Sequence, residues 1–207
     1  NHRPSHMAPE RLRVSGSRLY FPDGSEATLH GFNLMFELDS EYALPRADTD
    51  DLILKVLPGT NLLRLVMVRW DDRPTIAKGD EQNDCSAGNL YAGRSFSKRC
   101  LEQLQQVLSW AAENNFWTIV TARASMAAGE HVDGYDDRAN VFEDAALRKQ
   151  YIRMWHSVAQ IVKPFDRIAA LEVMSEPRVR CSACAREVPE ATVRAFYTDA
   201  CAAVHEE

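Results

Sequence analysis

Asn61-Leu62-Leu63-Arg64-Leu65-Val66-Met67-Val68-Arg69-Trp70 is an almost unbroken apolar run, interrupted only by Arg64 and Arg69. A strand that faces solvent on one side alternates apolar and polar residues. A near-continuous run instead marks a strand covered on both faces, as in parallel α/β sheets. Just upstream, Asp48 or Thr49 is placed to cap a helix through Leu52, Ile53, Val56 and Leu57, which Pro58-Gly59 ends.

The same alternation repeats outward from this strand. Residues 71–96 are polar and rich in Gly, Asp and Asn, which predicts a long loop. A helix follows, with Leu101, Leu104, Val107, Leu108 and Ala111 on one face. Phe116 to Ala122 reads as a third strand and residues 123–143 as a second polar loop. The next helix carries Leu147, Tyr151, Met154, Trp155, Val158, Ile161 and Val162 on one side and stops at Pro164. Ile168 to Met174 is the fourth strand of the series, ending in Ser175-Glu176-Pro177. A short cysteine-bearing loop leads to a last helix with Val193, Phe196, Tyr197, Ala200, Cys201 and Val204 on its apolar side. Upstream of everything, Leu12 to His30 reads as two short strands around Asp23-Gly24, followed by the first strand of the series, Leu29 to Phe36. Strict β–α alternation with buried strands predicts a parallel sheet with right-handed crossovers.

Bulk properties narrow the function. The chain has 207 residues, 45% apolar and 26% charged, with a net charge of −6, which is ordinary for a globular protein. No lysine/arginine-rich run supplies a nucleic-acid footprint, and no apolar run is long enough for a membrane span. The opening Asn1-His2-Arg3-Pro4-Ser5-His6-Met7 lacks the apolar stretch of a signal peptide and reads as a cloning remnant, leaving residues 8–207 as a single domain. Five cysteines (Cys85, Cys100, Cys181, Cys184 and Cys201) are an odd number, so full internal pairing is excluded. Cys181 and Cys184 form one C-x-x-C pair without a second pair or a nearby histidine, so no metal and no cofactor are expected. The acidic stretch from Asp133 to Asp137 lacks calcium-loop spacing.

In parallel α/β folds, ligands bind outside the carboxyl ends of the strands. Those ends carry Asn33 and Glu37, then Trp70, Asp71 and Asp72, then Thr121 and Arg123, then Ser175 and Glu176, with Arg64 inside the second strand. Neither phosphate-binding glycine motif occurs, nor a G-x-S-x-G nucleophile turn. Trp70 is either a sugar-stacking platform or a core residue, whereas Trp117 and Trp155 read as core. Asp71 and Asp72 read as solvated loop charges. Arg64 needs a carboxylate partner, because an unpaired buried charge is very costly. Glu176, or a carboxylate outside the chain, is the expected partner.

Three stretches carry a resemblance. Leu29-His30-Gly31-Phe32-Asn33 after its hairpin, Gly59-Thr60-Asn61-Leu62-Leu63-Arg64-Leu65, and Ala170-Leu171-Glu172-Val173-Met174-Ser175-Glu176-Pro177 together resemble glycoside hydrolase family 5, the cellulase-like clan of (β/α)8 barrels. The resemblance implies a TIM-barrel type α/β fold, with an N-terminal hairpin and about four of the eight (β/α) units. It also implies retaining hydrolysis of β-glycosidic bonds in a carbohydrate or glycoconjugate. Glu176 matches the acid/base, and Arg64 the residue that holds the nucleophile ionised. Ser175 stands at the family's sugar-contacting position, and Trp70 and Asn33, from their strand ends, are the other candidate substrate-binding residues. The sequence leaves the location open, and the same resemblance favours a secreted or extracellular one.

Two positions depart from the family pattern. Ser175 stands where the family has asparagine, and Thr121-Ala122-Arg123-Ala124 stands where a histidine is expected. The family nucleophile belongs to a seventh strand, beyond the four units read here. The chain is therefore expected to be the first half of a barrel that either self-associates or takes a complementing C-terminal half. The alternative is a catalytically inactive barrel-derived protein that binds carbohydrate or a protein partner.

Overall fold

The computed structural model describes residues 9–36, 58–67, 98–123, 141–175, 180–181 and 186–205. In chain order the elements are β1 (Arg13–Ser15), β2 (Arg18–Tyr20), β3 (Gly31–Phe36), β4 (Leu62–Met67), α1 (Lys98–Glu113), β5 (Trp117–Arg123), α2 (Ala145–Val162), β6 (Ile168–Ser175), β7 (Arg180–Cys181), β8 (Arg186–Glu187) and α3 (Glu190–His205). The helix expected near residues 48–57, the loop over 71–96 and most of that over 123–143 lie outside the described residues.

β3, β4, β5 and β6 form one parallel sheet in that order. Its two faces are distinct. Leu34, Leu65 and Val120 are in register and buried against the helices. Phe32 and Leu63 pack on the same side, with Trp110, Ala111 and Phe116 of α1 and the turn after it. The alternate residues Asn33, Arg64, Ile119 and Ala170 are in register on the opposite face, as the two-residue period of a strand requires.

The helices follow the apolar spacing of their sequences. On α1, Leu104, Val107, Leu108 and Ala111 are buried, but Leu101 is exposed. Asp144 starts α2 by accepting hydrogen bonds from the backbone N–H groups of Ala146 and Leu147, satisfying donors that have no partner within the helix. Tyr151, Met154, Trp155, Val158 and Val162 of α2 join Phe196 and Ala200 of α3 in the larger core. Phe196 is at the centre of an aromatic cluster, its ring 5.0 Å from Phe142, 5.6 Å from Tyr151 and 5.3 Å from Tyr197. Trp117 and Trp155 are core residues, as expected.

The amino-terminal ends of the strands are tied together. Gly59 turns the chain at φ 85°, and Asn61 then accepts from the His30 N–H and donates to the Thr28 carbonyl. Phe21 stacks on Trp117, with Arg167 placed over the same indole. Glu10 pairs with Arg167, and Arg11 donates to the carbonyls of Lys163 and Phe165.

Asp23-Gly24 turns the chain as expected, so that Glu26 bridges Tyr20 and the Ala27 N–H donates to the Leu19 carbonyl. An additional turn at Gly16, with φ 59°, joins β1 and β2 into an antiparallel pair upstream of it. The short antiparallel pair β7–β8, between β6 and α3, was not foreseen.

Candidate functional site

Arg64 is at the centre of the inner face. Its Nε donates to Glu172 Oε2 at 2.5 Å and its Nη2 to Glu172 Oε1 at 2.6 Å. Its Nη1 donates to Asn33 Oδ1 at 3.3 Å. The planar guanidinium fits a carboxylate edge-on through two parallel bonds, which an ammonium group cannot do. Both side chains are part-buried, at 27% and 30% exposed, so charge left unpaired there is costly without being prohibitive.

Strand register explains the pairing. Asn33 is level with Arg64 on the neighbouring strand. Glu172 is level with Thr121 of β5, which is in turn level with Val66, two residues beyond Arg64. The arginine therefore reaches across β5 and one layer toward the carboxyl end of the sheet. Thr121 is fully buried, and its Oγ1 has no hydrogen-bond partner among the described residues. On α3, burial, then the charges of Glu172 and Cys201, push the Tyr197 phenol above the usual tyrosine range.

Of the residues expected at the site, Arg64 and Asn33 are brought together. Ser175 is the last residue of β6, level with Arg123. Glu176 and Trp70 lie outside the described residues. Glu172 was missed, and it corrects the expected partner of Arg64. The signal was available: Glu172 is the lone charge in the apolar stretch Ile168–Met174, just as Arg64 interrupts Leu62–Val68. Among the described residues no group of three or more His, Cys, Asp or Glu is placed to hold a metal ion, and no helix is long and apolar enough to cross a membrane.

Comparison with solved structures extends the picture. Endo-glycoceramidase II from Rhodococcus sp., in a cellobiose-like imidazole complex, is similar over 92% of this chain and 49% of its own, with a TM-score of 0.62 at 18% identity. A β-glucanase from Saccharophagus degradans is similar over 98% of this chain and 52% of its own, with a TM-score of 0.64 at 13% identity. A third structure, described as a glycoside hydrolase, covers 87% of this chain at a TM-score of 0.57 and 15% identity. The chain thus spans about half the length of the structures it matches. No protein-family model matches the sequence, and no curated protein matches it. The fold is that of TIM-barrel glycoside hydrolases, as the three sequence stretches implied.

Proposed function

We propose that this chain is the strand-1-to-4 portion of a retaining glycoside hydrolase acting on a β-linked glycan or glycoconjugate, with Glu176 as acid/base. Residues 8–207 form one domain in this reading. The observation that carries it is the held guanidinium of Arg64 beside Asn33, on the inner face of a sheet whose fold is shared with glycoside hydrolases. Ser175 ends β6, at the strand end where such folds gather their chemistry, and Glu176 is next in sequence. Glu176 would protonate the leaving oxygen and then deprotonate water, while a second carboxyl forms the covalent glycosyl intermediate. Arg64 and Asn33 would orient that second carboxyl or a sugar hydroxyl, and Trp70 would supply a stacking face.

The second reading is a non-catalytic carbohydrate-binding protein. One observation favours it: Glu172 already offsets the charge that Arg64 would otherwise lend to a nucleophile. Turnover of aryl β-glycosides by the wild type and by Glu176→Gln separates the readings. The glycosidase reading expects activity that Glu176→Gln reduces at least a hundredfold, the scale of lost general acid–base catalysis (~10²–10⁴). Equal rates in both proteins would remove Glu176 from the mechanism, and no turnover in either favours the binding role.

Within the described residues β3 and β6 are the outer strands of the parallel sheet. We infer that these edges pair with strands of a second copy or of a complementing half, since exposed edges template pairing. Size-exclusion chromatography with light scattering tests this on the chain alone, and a monomer that persists at high concentration speaks against it.

A further inference from the structure

The Arg64–Glu172 pair has a direction. Two of the three guanidinium nitrogens are occupied by one carboxylate, which fixes the plane of the group and leaves Nη1 turned toward Asn33 on β3. Without Glu172, an arginine on a four-bond stem samples many rotamers, and holding one of them carries an entropic cost. With Glu172, the orientation exists before any ligand arrives, and preorganisation of this kind is what makes a polar contact effective. The carboxylate stands one layer nearer the carboxyl ends than Arg64 itself, so the bonds draw the guanidinium toward the ligand-binding end of the sheet.

We propose that Glu172 is the positioning residue of this site: it acts through Arg64, aiming its Nη1 at Asn33 and the ligand space beyond. The proposal rests on the glycosidase reading for the identity of the ligand, a β-linked glucan. It does not rest on that reading for the pairing.

The experiment uses the full chain, with cellotetraose as the probe. The Nε–H proton resonance of Arg64, assigned by its loss in Arg64→Lys, reports the held guanidinium, because a salt-bridged Nε–H is protected from exchange with water. Calorimetry measures cellotetraose affinity, and circular dichroism confirms that each variant is folded. In Glu172→Gln the Arg64 resonance is expected to vanish into exchange and the affinity to fall about tenfold, a modest loss for a misplaced positioning group. Glu172→Asp, which keeps the charge on a shorter stem, is expected to restore part of both; it also carries the comparison alone if Glu172→Gln does not fold, with a resonance broadened but still present. A merely structural role would lower thermal stability and leave the resonance of the folded variant in place. Persistence of the resonance in Glu172→Gln overturns the proposal, and so does its loss with affinity unchanged. If the wild type neither binds cellotetraose nor cleaves aryl β-glycosides, the glycosidase reading fails. The resonance then decides the positioning by itself: loss in Glu172→Gln with recovery in Glu172→Asp upholds it, and persistence overturns it.

Discussion

Replacing Gly31 by alanine tests how closely β3 and β4 approach. A Cβ built on Gly31 would lie 1.9 Å from the carbonyl oxygen of Leu62 and 2.6 Å from its carbonyl carbon. Carbon and carbonyl oxygen ordinarily meet no closer than ~3.3 Å. The strands must therefore separate locally by about 1.4 Å, and the obstacle is backbone, so no rotamer change can relieve it. That separation stretches the bonds from the Asn61 and Leu62 N–H groups to the His30 carbonyl, now 2.8 and 3.0 Å. Losing two such bonds costs about 1–3 kcal/mol, and forcing a methyl group into packed surroundings adds about 1–3 kcal/mol. Alanine returns about 0.4–1 kcal/mol by restricting the unfolded chain. The net expectation is a destabilisation of about 1–5.6 kcal/mol, read from urea unfolding of wild type and Gly31→Ala. Gly59→Ala is the control. Its φ of 85° strains any side chain, but among the described residues no atom lies within 4 Å of its Cβ position, so the expected cost is the backbone term, about 1–2 kcal/mol. A Gly31→Ala variant as stable as wild type, or no worse than Gly59→Ala, refutes the close-approach argument. Asn33 follows Gly31 by two residues on the same face, so the same variant is expected to loosen its contact with Arg64.

Two further predictions concern the attachment of β6 to its helices. Tyr151 of α2 donates its hydroxyl to the Val173 carbonyl at 2.6 Å in a buried setting; Tyr151→Phe is expected to cost about 1–2 kcal/mol in urea unfolding, and an unchanged midpoint would remove that bond from the stability of the fold. The phenol of Tyr197 has its pKa raised by burial, then by Glu172 and Cys201. The folded state thus keeps a proton that the unfolded state loses near pH ~10, so stability should fall as pH rises above that value. Thermal unfolding followed from pH ~9 to ~11 should show a steeper decline in wild type than in Tyr197→Phe, and parallel curves would count against the shift.

The parts of this structure that were legible in the sequence are those set by one segment alone. A strand covered on both faces must be apolar throughout, so β4, β5 and β6 showed themselves by composition. An amphipathic helix must repeat near every 3.6 residues, so α1, α2 and α3 did as well. The turn at Asp23-Gly24 was legible, but the one seven residues upstream at Gly16-Ser17 was not, although both signals are used. Local chemistry does not rank them; only strand pairing does.

The partner of Arg64 was hidden for a different reason. It lies 108 residues away, and its face depends on an irregularity between two strands. Thr118 is level with Ile168, yet Ile119 is level with Ala170, so β6 gains one residue against β5 at that point. With an unbroken register Thr121 would meet Leu171, and Glu172 would fall on the face that carries Leu65 and Val120. A slip of one residue exchanges the two faces of a strand. Glu172 would then be a carboxylate set against the apolar core, and Arg64 would have no partner on its own side. The added residue instead turns Glu172 inward, level with Thr121 and within reach of the guanidinium. Strand irregularities of this kind commonly re-aim a side chain next to a functional site. Here one places the only carboxylate of β6 against the arginine of β4, which is why the site depends on the register of three strands rather than on any motif within one of them.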